Sequence, residues 1–417
     1  MRRIGVDAVG VERMARALER SGAGFLARAY TTAEIGYCAG RAESLAGRWA
    51  AKEAVIKCFE GTPICFPRRR IEVLPGPGGG PRVSLLGGEA RGASVEDSIT
   101  HHSGLAVAAA LLEMPGPELP AAASAGPMPS APDAVVMPAR PAGGHKGTFG
   151  TVVVLAGSVG LTGAAYLSAT AAARAGAGMV RLLVAQSIYP ILAAKCTEVM
   201  ATPIGEAAPG AVGHASHDAV MRAVEPAAAF LVGPGLGRDS STWRLVHDLV
   251  ARVERPMVVD ADGLNALAAS SRSRGRLGAP AVFTPHPGEM ARLLGVSTGE
   301  VQAGREAAAL ECARRWGAVA VLKGARTVVA DPSGRLSTDP HEVPALASGG
   351  TGDVLAGIIA GLLAQGLRPF EAAASGVYVH GEAGRRWAGR HGEGGLLASD
   401  LLLEVPQVMD RLRRGGL

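Results

Sequence analysis

Two kinds of hydrophobic spacing run along this chain, and they change places at regular intervals from residue 151 onward. Short unbroken apolar runs predict buried strands, and longer stretches with an apolar residue every three to four positions predict helices. Strands are expected at 151–155, 179–184, 230–232, 256–259, 281–283 and 318–322. An alanine-rich helix is expected at 161–175 and an amphipathic one at 371–387. Another helix starts after Ser348-Gly349-Gly350-Thr351-Gly352-Asp353, marked by Val354, Leu355, Ile358, Ile359, Leu362 and Leu363. Alternating strands and helices predict an α/β domain whose central, mostly parallel sheet is covered on both faces.

Before residue 115 the pattern is less regular. Residues 4–7 read as a strand and 11–20 as a helix, with Arg13, Arg16 and Arg20 on one basic face. A solvated face is the plain reading of those arginines, and docking of an acidic partner is the sharper one. In the helical stretch 41–57, Leu45, Trp49, Ile56 and Phe59 should face a core. Arg48 and Lys52 share one side, and Glu53 and Lys57 an adjacent side. Two strands, 70–73 and 82–86, are joined by a Pro/Gly turn, and Ser98-Ile99-Thr100-His101 precedes a last strand at 105–112. Residues 115–133 are dominated by proline, alanine, serine and glycine without periodicity, which reads as a semi-extended tether. The expected organisation is therefore an α+β domain at 1–114, a linker at 115–133 and an α/β domain at 134–417.

Composition narrows the function classes. Only 4% of residues are aromatic, too few for a base-stacking platform, and the net charge of +5 is spread along the chain. Neither observation favours a nucleic-acid partner. The five cysteines form no C-x-x-C pair, which predicts reduced thiols in the cytosol rather than a zinc site or a disulfide framework. Met1-Arg2-Arg3-Ile4-Gly5-Val6-Asp7 meets an acid before an apolar core forms, which predicts no signal peptide. No apolar run reaches the roughly 20 residues of a membrane span.

Candidate chemistry gathers at the strand ends, where open α/β sheets bind ligands. Glycines before a helix let backbone N–H groups crowd a phosphate, and the helix N-terminus adds positive partial charge. Asp353 in the first turn of such a helix is placed to take a proton from a hydroxyl attacking that phosphate; its plain alternative is a helix cap. His286 between two prolines reads alone as a loop histidine, Asp260 and Asp262 as helix caps, and Lys323 as a surface residue. The convergence of all of them on strand ends favours a site. In the first segment, Asp7 and Glu53 could hold a magnesium ion together with a pyrophosphate, or the charges could form a salt-bridged surface.

The early I-G-V-D with Asp7, the stretch Tyr30-Thr31-Thr32-Ala33-Glu34, the block A-G-R-W-A-A-K-E-A and S-I-T-H resemble holo-acyl-carrier-protein synthase, a 4′-phosphopantetheinyl transferase. The resemblance implies that Asp7 and Glu53 bind Mg²⁺ at the coenzyme A pyrophosphate, that Arg48, Lys52 and Lys57 lie near its phosphates, and that His101 is catalytic, near the reacting end. It also implies that the Arg13–Arg16–Arg20 face meets an acidic acyl carrier protein and that the domain forms homo-oligomers, commonly trimers with sites between subunits. Trp49 stands where that family usually has Phe, and Cys58-Phe59-Glu60-Gly61-Thr62 departs from its usual glycine-rich run.

The ordered set H-K-G-T-F-G, T-G-A-A, G-P-G-L-G, D-A-D-G-L-N, T-P-H-P-G-E, L-K-G-A-R-T and G-G-T-G-D resembles the bacterial ADP-dependent NAD(P)H-hydrate dehydratases, of the ribokinase-like superfamily. That resemblance implies that Ala164, Gly235 or Gly237, His286 and Asp353 line the hydrated dinucleotide, NADHX or NADPHX. It implies that Lys323, Gly324, Ala325, Arg326, Thr327 and Gly352 hold ADP or ATP, with Mg²⁺ assisting. The expected protein is bifunctional. Its rivals are a kinase for a small vitamin-like alcohol in the second domain, and a nucleotide-sensing scaffold whose first domain only drives assembly.

Overall fold

The computed structural model describes residues 2–59, 67–76, 79–86, 93–113, 129–270 and 277–415. Residues 60–62 of the divergent run, Cys65, the centre of the turn near residue 77 and most of the expected tether lie outside the described residues. The chain divides into two compact units, residues 1–121 and 122–417.

In the first unit, β1 (Arg2–Gly10), α1 (Val11–Ala29), α2 (Thr32–Cys38) and α3 (Ala42–Phe59) are followed by four strands. β2 (Ile71–Pro75) and β3 (Pro81–Leu85) form an antiparallel hairpin. β4 (Ser94–His102) and β5 (Leu105–Glu113) join β1 in an antiparallel sheet of order β1-β5-β4. Ser103 and Gly104, both at positive φ (48° and 77°), make the two-residue turn between β4 and β5. The helix expected at 11–20 continues to Ala29 across non-helical Gly22 (φ 40°, ψ −125°). Apolar residues on either side of that break kept the chain against the same core. α3 buries Ala50, Ala51, Ala54 and Val55 and packs on β1 and β5. The approach is so close that a Cβ at Gly5 would stand 2.0 Å from the carbonyl oxygen of Ala54. Trp49 stacks on Phe25 with ring centroids 5.5 Å apart.

The second unit is built on a nine-stranded sheet. Its strands are β6 (Thr151–Leu155), β7 (Met179–Ala185), β8 (Met200–Ile204), β11 (Ala229–Val232), β12 (Met257–Val259), β13 (Ala281–Phe283), β14 (Val319–Leu322), β15 (Val328–Ala330) and β16 (Leu336–Thr338). A short pair, β9 (Glu206–Ala208) and β10 (Ala211–Val212), stands apart. The order is β16-β15-β14-β13-β12-β11-β6-β7-β8, parallel from β14 to β8 and antiparallel at β15 and β16. Each central strand is buried at every position, as its unbroken apolar run requires. The chain first builds outward from β6 to β8, then returns to lay β11 on the other side of β6. That reversal is the switch point where such sheets leave a crevice at the carboxyl ends of their strands.

Apart from the short helices α5 (Tyr189–Lys195), α6 (His217–Val224) and α10 (Thr298–Ala303), two groups of helices flank the sheet. α4 (Thr162–Arg174), α12 (Thr351–Ala364), α13 (Pro369–His391) and α14 (Ala398–Arg413) pack on one another; α7 (Ser240–Arg252), α8 (Asp262–Ala268), α9 (Pro287–Leu294) and α11 (Arg305–Trp316) form the second group. The alanine-rich face of α4 has a specific use. A Cβ at Gly357 of α12 would fall 2.1 Å from the carbonyl oxygen of Ser168 in α4. Only small residues permit that contact, and it fixes where the N-terminus of α12 points. The described residues on the N-terminal side of this unit are already docked: the Pro129 carbonyl accepts from the Tyr378 hydroxyl at 2.6 Å, and Val136 N–H donates to Ser375 Oγ at 2.9 Å. Ordered contacts therefore begin inside the segment expected to be tether. Among the described residues no helix is long and apolar enough to cross a membrane.

Candidate active site

The second unit carries a cavity of about 610 Å³ at the carboxyl ends of β13 and β14, closed by the start of α12 and by α13. His286, Lys323, Gly324, Ala325, Thr327 and Gly352 line it, all six expected from the sequence. Arg326 does not. Its backbone adopts φ +53° and its N–H donates to the His341 carbonyl at 3.1 Å, so it turns the loop while its exposed side chain stays outside the cavity lining.

Gly350, at φ 89°, ends the glycine loop and is the N-cap of α12. Asp353 follows in the first turn. It makes no N-cap hydrogen bond; that cap position has no side-chain acceptor. Burial, then the charge of Asp260 and more weakly of Asp262 and Glu289, raises the Asp353 carboxyl to about 7 against the opposing pull of Lys323. Lys323 Nζ donates to Asp260 Oδ1 at 2.8 Å and lies 3.9 Å from Glu289 Oε2. Burial disfavours its charge, but Asp260, Glu289 and Asp353 outweigh burial and hold the ammonium above its ordinary value. Asp260 is itself fixed by Thr284 Oγ1 at 2.7 Å.

His286 caps α9. Its Nδ1 accepts from Gly288 N–H at 3.0 Å, and Glu289 Oε2 accepts from His286 N–H at 2.9 Å. The reciprocal bonds are a capping box, and they leave the ring proton on Nε2. Burial, Lys323 and Arg292 lower the imidazole's pKa, so His286 is a neutral donor. Ala164 and Gly235 meet outside the cavity: a Cβ at Gly235 would lie 3.0 Å from that of Ala164. Gly237 N–H donates to Asp262 Oδ2 at 2.8 Å. The expected residues thus fall into two clusters, with Asp353 in electrostatic contact with both through Lys323 and Asp262.

Three participants have no signature in the sequence. His341 is buried, its Nδ1 2.9 Å from Asp339 Oδ1 and its Nε2 3.2 Å from Glu382 Oε2. Burial opposes its charge, but those two carboxylates overcome it and raise the ring to about 9. A doubly donating imidazolium therefore underlies the loop that Arg326 turns. Arg385 completes the chain on Glu382 at 2.6 Å. His380 donates from Nε2 to the Thr351 carbonyl at 2.9 Å, and burial pushes its pKa down to about 4, so it is neutral. Only the spacing of Glu289 from His286, three residues, was readable beforehand as a capping pattern.

In the first unit Asp7 and Glu53 sit on facing elements. Lys57 Nζ donates to Asp7 Oδ1 at 2.9 Å, and Glu53, one helical turn before Lys57, pairs with Arg68. Two carboxylates, each balanced by a cation, fit an ion that arrives with a pyrophosphate; among the described residues no cluster of three or more ligating side chains forms a ready metal cage. Lys52 is elsewhere. It is wholly buried, and its three N–H groups go to Glu34 Oε2, the Arg68 carbonyl and the Ile71 carbonyl at 2.7, 2.9 and 2.5 Å. No donor is left for a phosphate, so Lys52 is a structural cation, contrary to the expectation. Arg48 is also mostly buried, over the Tyr37 ring at 4.3 Å. His101 touches α3 at the Glu43 carbonyl, 3.1 Å away. Its Nε2 would also stand 2.8 Å from a Cβ at Gly47, six residues before Glu53 on that helix, roughly 9 Å of rise. Arg13, Arg16 and Arg20 are exposed, Arg16 near Glu12 at 3.5 Å.

A switch-point crevice, a glycine loop opening a helix, a lysine-lined cavity and a half-buried acid beside it define a ribokinase-like nucleotide-using protein. The family model described as NAD(P)H-hydrate dehydratase matches residues 152–407, and the 4′-phosphopantetheinyl transferase superfamily matches residues 3–110. A bifunctional NAD(P)H-hydrate repair enzyme of Moorella thermoacetica is 47% identical over 66% of this chain and 52% of its own length. The ADP-dependent (S)-NAD(P)H-hydrate dehydratase of Xanthomonas campestris is 40% identical over 66% of this chain and 92% of its own. The crystal structure of the Bacillus subtilis ADP/ATP-dependent NAD(P)H-hydrate dehydratase, co-crystallised with ATP and Mg²⁺, superposes with a TM-score of 0.57, 33% identity, and coverage of 66% and 94%. The chain belongs to the NAD(P)H-hydrate dehydratase family, and its first unit to the 4′-phosphopantetheinyl transferase superfamily. It spans about half the length of several curated relatives it matches.

Proposed function

We propose that the second unit dehydrates (6S)-NADHX and (6S)-NADPHX to NADH and NADPH at the expense of ADP. The observation that carries this reading is Asp353, a half-buried carboxyl held near 7 at the start of α12, beside a cavity lined by Lys323 and backbone glycines. A base of that strength is matched to proton removal at neutral pH. Asp353 takes the proton of the ring hydroxyl, and the oxygen attacks the β-phosphorus of ADP. The bond to the bridging oxygen breaks and AMP leaves. The nitrogen lone pair of the ring then expels phosphate from the adjacent carbon, and loss of a proton from the next carbon restores the double bond. Hydroxide, a poor leaving group, has been exchanged for phosphate. Lys323, Gly324 and Ala325 hold the nucleotide, Thr327 and Arg326 shape its loop, and Gly352 gives the phosphates an open approach. Ala164, Gly235, Gly237 and His286 hold the hydrated ring. Magnesium entering with the nucleotide would neutralise phosphate charge.

For the first unit the proposal is transfer of 4′-phosphopantetheine from coenzyme A to a serine of acyl carrier protein. Asp7 and Glu53 would hold Mg²⁺ at the pyrophosphate, with Lys57 and Arg48 near phosphates and the exposed Arg13–Arg16–Arg20 face receiving the acidic carrier. His101 would reach a reacting end completed by another copy, in a homo-oligomer. Asp97 supports that assembly: both its oxygens are buried without a partner among the described residues, and Ile4 and Val6 leave an apolar sheet face exposed. The two units would work independently in the cytosol across the tether.

Purified chain, (6S)-NADHX and either ADP or ATP test the reading. Dehydration returns the absorbance of the reduced ring and free phosphate. A stable phosphorylated product with no gain in absorbance would make the second unit a kinase instead.

A further inference from the structure

A second cavity, about 360 Å³, lies in the same unit and is lined by Arg238, Trp243, Asn265, Ala268, Ala269 and Arg292. It is tied to the ring-binding cluster by consecutive hydrogen bonds. Trp243 Nε1 donates to the Gly237 carbonyl at 3.2 Å, and Gly237 N–H donates to Asp262. Asn265 Nδ2 donates to the other oxygen of Asp262 at 3.2 Å, and Arg292 Nε donates to Asn265 Oδ1 at 3.0 Å. Arg292 also acts on His286 from this side, as Lys323 does from the nucleotide cavity. Asp262 in turn acts on Asp353. The residues that line this cavity are therefore bonded, through Gly237 and Asp262, to the cluster where the reacting ring would sit.

Its charge is unbalanced. Arg238 and Arg292 are exposed, and neither forms a salt bridge among the described residues, although Arg292 acts at longer range on Glu289. Two unpaired guanidinium forks match phosphate oxygens. The indole of Trp243 has spent its N–H on Gly237, and Ala268 and Ala269 leave room for a flat group. A dinucleotide substrate has one half that the cavities described above leave unhoused: ADP takes the first cavity and the hydrated ring lies by Asp353. We propose that the Arg238–Trp243–Arg292 cavity is the subsite for the adenosine-phosphate half of the hydrated dinucleotide, its phosphate oxygens held by Arg238 and Arg292. The proposal rests on the dehydratase reading. It makes these residues determinants of substrate affinity, remote from the bonds that change.

The test compares (6S)-NADPHX with hydrated reduced nicotinamide mononucleotide, which lacks the adenosine-phosphate half, at saturating ADP. Arg238→Gln and Arg292→Gln should each raise KM for NADPHX by ~10-fold, the scale of a charged hydrogen bond. For Arg238→Gln the kcat, the KM for ADP and the KM for the mononucleotide should change less than about two-fold. Added salt should raise the NADPHX KM of the wild type more than that of the double variant. Arg238 makes no hydrogen bond among the described residues, so its substitution keeps the test open if Arg292→Gln disturbs Asn265. An unchanged NADPHX KM in both variants, or parallel rises for both substrates, overturns the subsite while leaving the dehydratase reading in place. A wild-type chain that converts neither hydrate overturns that reading and the subsite with it.

Discussion

Lys52 and Lys323 each face an acid inside a folded unit, Lys52 against Glu34 at 2.7 Å and Lys323 against Asp260 at 2.8 Å. What surrounds them differs. Lys52 is 0% exposed, and two backbone carbonyls take the donors that Glu34 leaves. Burial lowers its pKa despite the pull of Glu34. Lys323 keeps 19% of its side chain open to the cavity, and three acids surround one ammonium. The first lysine closes a core. The second leaves negative charge in excess, part of which Asp353 answers by holding its proton until near pH 7. A buried cation with every donor spent is architecture; one with donors to spare and too many acids around it is prepared for a ligand.

The contrast can be broken at either end. Lys52→Met strands the Glu34 carboxylate in a core, which should cost about 3–5 kcal/mol. Denaturant unfolding of the whole chain should show the first unit melting early and the second unchanged. Equal midpoints for variant and wild type would remove Lys52 from the core's support. Lys323→Met should weaken ADP binding by about 10- to 100-fold, read by titration calorimetry, and should cost stability in the second unit because it leaves Asp260 with Thr284 as its remaining side-chain partner. It should also move the pH limb assigned to Asp353 upward, because Lys323 opposes that carboxyl's rise.

His341 also lines the first cavity, but both its ring nitrogens are taken by Asp339 and Glu382. Its folded value, near 9, is above the ordinary 6.5. Its stabilisation is complete below 6.5 and fades as pH rises through about 9. His341→Gln should lower stability by about 1–2 kcal/mol at pH 6.5 and much less at pH 10, followed as Tm against pH. A pH-independent loss would mean that packing against Tyr378, 4.9 Å away, is what the ring supplies. At the weakest end, Glu12→Ala removes an exposed pair with Arg16 and should shift stability by no more than ~0.5 kcal/mol.

Most of the second unit's sheet was legible because its strands are buried on both faces and read as unbroken apolar runs. β8, β15 and β16 were not: Met200-Ala201-Thr202-Pro203-Ile204 carries a proline at an edge, and the other two are three residues long. The glycine loop before α12, Lys323 and Asp353 stand out in the sequence because a glycine run opening a helix and polar residues at strand ends are local patterns. His341, Glu382 and His380 were hidden, since their partners are 2, 41 and 29 residues away and only the fold assembles them. Lys52 was misread for a related reason. Its spacing from Arg48 is that of a shared helix side, and nothing local reveals that Glu34 and two carbonyls enclose it.

Asp353 is proposed as the base, its strength set by its surroundings. The most direct measurement is the pH dependence of kcat for (6S)-NADPHX dehydration with ADP, in wild type and Asp353→Asn. The wild-type rate should rise with pH through about 7 as the carboxyl ionises. The variant should lose about 10²–10⁴-fold, lose that limb, and bind ADP at least as tightly. It should also exceed the wild type in stability by an amount that grows as pH rises from 3.8 and is complete above about 7, because the wild-type carboxyl has a folded value above its unfolded one. Near-normal turnover with the same limb in Asp353→Asn would contradict the account and place the base elsewhere.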